Sequence, residues 1–209
     1  MDKDKSNAAS AWMLRFFVIW TGQAFSLLGS SLVQFALVWW MTEKTGSATV
    51  LSTATMVALL PQIVLGTFIG PLVDRLDRRK IMIVADLSIA IATGVLMALF
   101  MTDRVEVWHV FAIMAFRSLG GVFHSTAMTS STSLLVPAKH LTRVNGINQS
   151  LHGAMNILSP PLGALLIMLM PTQGIRAIDL VTAALGILPL LFFSVPKPEP
   201  ITDVEEGGL

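Results

Sequence analysis

Gly70-Pro71-Leu72-Val73-Asp74-Arg75-Leu76-Asp77-Arg78-Arg79-Lys80 is the stretch from which the rest of the chain can be read. Six of the seven residues from Asp74 to Lys80 are charged, and a long apolar run lies on either side of them. A turn so short and basic between two membrane-length runs reads as a cytoplasmic loop joining two transmembrane helices. The composition agrees. Of 209 residues 54% are hydrophobic and 13% charged, with mean hydropathy +0.71, whereas a soluble domain carries about 25% charged residues. The chain reads as an integral membrane protein.

Working outward, a helix needs about 20 apolar residues to cross the hydrocarbon core. Six runs qualify, at 14–40, 48–71, 80–101, 107–133, 145–170 and 175–195. An open sheet cannot exist in lipid and the runs are too long for barrel strands. The expected fold is therefore an all-α membrane protein, a six-transmembrane-helix bundle formed by residues 1–195. Residues 196–209 are Pro-rich and then acidic, which suits a solvated linker. Residues 1–11 are polar and lack the apolar core of a signal peptide, so the first span is expected to be uncleaved. With no cysteine, disulfides and thiol chemistry are excluded.

The basic residues set the orientation. With the N-terminus inside, Lys3, Lys5, Arg15, Arg75, Arg78, Arg79, Lys80, Lys139, Arg143 and Lys197 are cytoplasmic. Lys44, Arg104 and Arg176 lie outside, and Arg117 falls within a span. Both termini are therefore expected in the cytoplasm.

Polar side chains in hydrocarbon are costly and turn toward a bundle interior or a wet cavity. Gln23, Ser26, Ser30 and Gln34 recur at helical spacing in the first span. Arg117, Gly120, Gly121, His124, Met128 and Ser131 do so in the fourth, and Asn145, Asn148, Gln149, His152, Asn156 and Ser159 in the fifth. Spans three and six carry no comparable stripe, only Asp86 and Asp179 near their ends. Spans one, four and five should line a common polar cavity, with three and six outside it. Single groups of this kind are ordinarily interhelical hydrogen bonds worth about 0.6 kcal/mol; three aligned stripes argue for a cavity.

Arg117 costs at least about 2.5 kcal/mol near mid-membrane and stays charged, so it needs a partner or water. It is either one half of a structural ion pair or a functional group. His124, one heptad away, could carry protons or serve as a neutral hydrogen-bonding ring, and His152 leaves the same choice. Asp86 is expected to pair with Arg78, Arg79 or Lys80, and Asp179 to snorkel or to pair with Arg176. Gly66 and Gly70 form a GxxxG that would admit a neighbouring helix. Ser159-Pro160-Pro161-Leu162-Gly163-Ala164 is expected to interrupt and bend span five.

The stretch at 70–80 resembles the loop between helices two and three of the major facilitator superfamily, G-x-L-x-D-R-x-G-R-R/K-x. Gly70, Leu72, Asp74, Arg75, Arg78 and Arg79 match it, and Asp77 stands where the pattern has Gly. Arg117-Ser118-Leu119-Gly120-Gly121 is similar to the R-x-x-Q-G of helix four, with Gly120 for Gln. Ser159, Pro160 and Gly163 fall on the antiporter pattern G-P-x-x-G-G of helix five, where Pro160 and Gly163 match. The first span, from Trp20-Thr21-Gly22-Gln23 through Trp39-Trp40, resembles the macrolide-efflux-like branch of drug:proton antiporters.

Such transporters have twelve helices in two six-helix halves around a midplane site. The resemblance thus implies one N-terminal half, whether a fragment, a truncated product or a half-transporter that needs a partner. It implies export of a macrolide-like or other amphipathic drug across the inner (plasma) membrane, driven by protons. Gly70, Leu72, Asp74, Arg75, Arg78 and Arg79 would latch onto the second half. Arg117 and His124 would couple protons, and Ser159, Pro160 and Gly163 would restrain leakage. Gln23, Gln34, His124, Asn148, His152 and Asn156 would wall the substrate cavity. The expected partners are a small-molecule substrate, protons, the bilayer, and a C-terminal half or second copy.

Two rival classes remain. One is a non-transporting remnant or assembly subunit. The other is an intramembrane enzyme, which the residues disfavour. No G-x-S-x-G serine is present, and His109, His124, His140 and His152 show no H-E-x-x-H spacing. No enzymatic activity, cofactor or metal is expected. The absence of a P-loop argues against ATP-driven export, and the basic loop is too short for nucleic acid.

Overall fold

The computed structural model describes residues 2–169 and 172–192, with side chains described at Met13, 16–169 and 177–192. Six helices account for nearly all of them: α1 Asp2–Thr45, α2 Ala48–Arg75, α3 Arg78–Met101, α4 Val107–Leu135, α5 Leu141–Leu169 and α6 Thr172–Phe192. A single 3-10 turn, Ala138–His140, leads into α5. No strand occurs among the described residues. Helices α1 to α5 each contain a stretch long and apolar enough to cross a membrane, and α6 has a shorter apolar segment, Ala177–Phe192. The protein is a multi-pass membrane protein. Helix α1 begins well before residue 14, and the 196–209 linker lies outside the described residues.

The helix ends follow local chemistry. Gly46 takes φ +59 just after α1, where its N–H bonds the Thr42 carbonyl at 2.9 Å, a left-handed stop that suits glycine. Asp77 caps α3, its carboxylate accepting from the Lys80 backbone N–H at 3.3 Å. This gives a physical reason for Asp where the family loop has Gly. Pro160 and Pro161 lie inside α5, which stays helical from Leu141 to Leu169, so the expected interruption of that span is corrected.

Helices α1, α3, α4 and α6 form an inner quartet, in which α1 runs along α6, α3 along α4, and α3 meets α6. Helix α2 attaches chiefly through α4, and α5 chiefly through α1. Exchanging α1, α2, α3 for α4, α5, α6 maps this set of pairings onto itself: α1–α6 becomes α4–α3, α2–α4 becomes α5–α1, and α3–α6 is unchanged. The bundle is thus two three-helix units in matching roles, the internal repetition common in carriers.

Small residues let α1 and α6 touch. A Cβ on Gly22 would lie 2.7 Å from the Leu185 carbonyl oxygen, and one on Gly29 3.2 Å from Asp179 Cα. From the other side, a Cβ on Gly186 would meet Ser26 at 2.9 Å. Gly66 and Gly70, expected to serve this purpose, have nothing within 4 Å among the described residues. The close approach lies elsewhere.

Buried apolar side chains fall into two clusters separated along the helix axes. One gathers Phe16, Ile19, Val73, Met82, Val122 and Leu190 toward the basic turn. The other gathers Val33, Leu37, Met41, Leu96, Val110 and Met114 toward the opposite end. Between them lies a layer of buried polar groups: Gln23, Ser26, Asp86, Thr93, Arg117, Asp179 and Thr182. The site is built on this layer.

Candidate functional site

Two polar clusters in the layer tie the inner quartet together. In the first, Arg117 of α4 donates to Asp179 Oδ2 of α6 at 2.6 Å, with both side chains almost wholly buried. Arg117 also bonds Thr93 Oγ1 of α3 and reaches the Ser30 carbonyl of α1 at 3.5 Å. Thr93 donates to Asp179 Oδ2 at 2.8 Å and Ser30 Oγ to Asp179 Oδ1 at 3.1 Å. One guanidinium thus meets one carboxylate, and both carboxylate oxygens are occupied. This corrects the expectation for Asp179, which is interior rather than snorkelling; the Arg176 side chain lies outside the described residues.

The second cluster sits nearer the basic turn. Gln23 of α1 donates from Nε2 to the Gly186 carbonyl of α6 at 2.9 Å. Its Oε1 meets His124 Nε2 of α4 at 2.5 Å, and the same ring nitrogen lies 3.4 Å from Asp86 Oδ1 of α3. Asp86 is 4% exposed, and its Oδ2 has no hydrogen-bond partner. Pairing of Asp86 with Arg78, Arg79 or Lys80 is therefore corrected: the carboxylate turns into the bundle, toward α4.

Both clusters border a cavity of about 840 Å³, within the range of sites that take drug-sized ligands. Its wall includes Gln23, Gln34, Arg117, His124, Asn148, His152, Asn156, Ser159 and Pro160, drawn from α1, α4 and α5. Helix α2 adds Ala58, Leu59 and Gln62, and no described side chain of α6 takes part; α3 adds Ile89, so the expectation that span three lies outside the cavity is corrected there. The stripe expected on α5 faces this space, where it stays largely exposed. Trp20 Nε1 donates to Asn148 Oδ1 at 2.7 Å, tying α5 to α1 at the basic-turn end. At the other end Gly163 meets the Phe35 ring, whose Cδ1 would clash with an added Cβ. Ser159 Oγ and Gln34 Nε2 are buried without partners.

The basic turn is a second feature. Arg78 binds Asp74 Oδ1 at 3.0 Å and the Ser130 carbonyl at 3.4 Å, while Ser130 Oγ donates to the same Asp74 oxygen at 3.1 Å. Helices α2, α3 and α4 are thereby joined. Arg79 donates from Nε to the Leu190 carbonyl and from a terminal nitrogen to the Leu191 carbonyl at 2.9 Å. These carbonyls lie in the last described turn of α6, so the guanidinium ties α3 to α6 at this end. Arg79→Ala should loosen that tie and cost about 1 kcal/mol, read as faster amide exchange of residues 189–192 in micelles. Exchange unchanged from wild type would show that the tie carries no weight. Gly70, half-exposed Leu72 and exposed Arg75 make no such ties among the described residues.

A multi-helix membrane bundle with buried charges beside a polar, ligand-sized cavity has the construction of a membrane carrier for small molecules. Residues 19–208 match the Major Facilitator Superfamily. The chain belongs to this superfamily. It is 42% identical to macrolide efflux protein A of Streptococcus pyogenes over 205 residues, 94% of this chain and 51% of that protein. It is 40% identical over 171 residues to macrolide efflux protein A of Enterococcus faecalis, 78% of this chain and 53% of the relative. With the multidrug efflux pump Tap of Mycolicibacterium fortuitum it shares 26% identity over 144 residues, 66% of this chain and 35% of the pump. The chain spans about half the length of the two macrolide efflux relatives.

Proposed function

We propose that the chain forms the N-terminal half of a proton-driven exporter of macrolide-like or other amphipathic drugs. The observation that carries this reading is the cavity: about 840 Å³ of space walled by amides and imidazoles on one side and by α2 on another. Amide groups at 145, 148, 149 and 156 can hydrogen-bond a polyhydroxylated ligand, while Leu59, Val38 and Met155 offer it apolar contact. The names of the macrolide efflux relatives give the substrate class its support.

In this reading Gly70, Leu72 and Arg75 are the parts of the basic turn left for a second six-helix half. Asp74, Arg78 and Arg79 hold the turn in shape from within. Both termini lie in the cytoplasm in this reading, which the distribution of Lys and Arg supports. Of the two residues taken as proton-coupling candidates, His124 keeps that role and Arg117 becomes its neighbour in a closed ion pair.

Cells expressing the chain together with a C-terminal half should accumulate several-fold less labelled macrolide than cells lacking it, and a protonophore should remove the difference. Asn156→Leu, on the cavity wall, should weaken the export. Export that persists after collapse of the proton gradient overturns antiport. Absence of export in every pairing favours the assembly-subunit reading, which the half-length alignment keeps in view.

A further inference from the structure

We infer that Asp86 and His124 together form the proton-binding site of the cavity, with Nδ1 of His124 as the atom that takes the proton. The inference rests on the proton-coupled reading for its role in transport, and on the geometry alone for the site.

The argument begins with Gln23. Its amide could in principle point either way, but the Gly186 carbonyl, 2.9 Å away, can only accept. The amide nitrogen must therefore face Gly186, which turns Oε1 toward His124. His124 Nε2 then has two acceptors before it, the Gln23 oxygen and Asp86 Oδ1. A ring nitrogen facing two acceptors must carry hydrogen. In the neutral ring Nδ1 is consequently the bare nitrogen. It has no hydrogen-bond partner among the described residues, and His124 lines the cavity.

Charge accounting separates this cluster from its neighbour. Arg117 and Asp179 cancel, and Ser30 and Thr93 complete the carboxylate. Asp86 has no cation of its own: it has the neutral His124 ring at 3.4 Å, the uncharged Gln23 side chain beside it, and one oxygen without a hydrogen-bond partner. A buried carboxylate in that state is poorly compensated. One proton added at Nδ1 leaves the Nε2 hydrogen in place and makes the ring an imidazolium beside the carboxylate, so that the pair as a whole becomes neutral. The cavity gives that proton a way in.

The groups acting on the pair from the packed helices are few. Helix α1 presents the non-titrating Gln23, α6 presents Asp179, which is held by Arg117, and α5 presents His152. His152 lines the same cavity, and its positive form would oppose a charge on His124.

The full chain in lipid nanodiscs, labelled with 15N-histidine, tests the site without any transport assay. His124→Gln assigns its signal among the four histidines. The neutral ring should carry its hydrogen on Nε2, and the share of that tautomer should fall in Asp86→Asn, which replaces an anionic acceptor facing Nε2 by a weaker one. Gln23→Leu, which removes the neutral acceptor, should lower that share as well. A wild-type ring with its hydrogen on Nδ1, or a tautomer share unmoved by Asp86→Asn, overturns the inference. The tautomer is read on the wild type, so it decides even where a variant does not fold.

In the export assay, Asp86→Asn and His124→Gln should each abolish the protonophore-sensitive component. Asp86→Asn with that component intact overturns the inference. Wild-type export indifferent to the protonophore overturns the proposed function instead, and the tautomer then decides the pair by itself.

Discussion

Arg117→Met should destabilise the detergent-solubilised chain by about 3–5 kcal/mol, read as an earlier helix-loss transition in denaturing-detergent titrations followed by circular dichroism. The magnitude comes from what is left behind. Asp179 is 1% exposed, and without Arg117 it keeps only the Ser30 and Thr93 hydroxyls as donors. A buried carboxylate so stranded costs far more than the lost attraction. Adding Asp179→Leu removes the stranded charge, so the double variant should recover most of the loss. Hydrophobic replacement of a whole buried pair is often neutral or stabilising. Equal stability of Arg117→Met and wild type would show that the pair holds nothing. Loss of export in the stable double variant would return Arg117 to the coupling machinery.

Gly22→Ala should cost about 1–3 kcal/mol by overpacking, while Gly66→Ala should be neutral or stabilise by up to about 1 kcal/mol. The first methyl would sit 2.7 Å from a backbone oxygen on α6 and 2.9 Å from Pro189 Cγ, neither of which can swing aside. Helix α6 must then retreat from α1 and carry Asp179 away from Arg117 and Ser30. The second methyl enters open space on a helix where glycine is the poorer helix former. The two variants share chemistry and differ only in neighbours, so one titration of each suffices. Similar midpoints would mean that the α1–α6 seam is looser than described.

Spans one, four and five were legible because their polar residues keep a helical period, and a period reports a face. Arg117 announced that a partner was needed, since its charge cannot be removed. The partner was not legible. Asp179 stands on a helix with no polar stripe, and its meaning depends on α6 lying beside α1, a long-range fact absent from local pattern.

Asp86 misled for a related reason. Nearness in sequence to Arg78, Arg79 and Lys80 suggested a pair, but the turn of α3 at Asp86 points it toward α4. The α2 side of the cavity was hidden because Ala58 and Leu59 look like lipid-facing residues. Glycines 66 and 70 carried the familiar spacing, whereas Gly22 and Gly29 are seven apart and make the contact.

The separation of 62 residues between Arg117 and Asp179 also has a consequence in time. A ribosome adds about 5–20 residues per second, so the arginine is made roughly 3–12 seconds before its counter-charge. Over that interval α4 must either stay at the insertion machinery or enter lipid with the cation's penalty of about 2.5–3.5 kcal/mol unrelieved. Biogenesis of this bundle should therefore have a late commitment step: nascent chains halted before Asp179 remain extractable and protease-sensitive, and those that have delivered α6 into the bilayer lock.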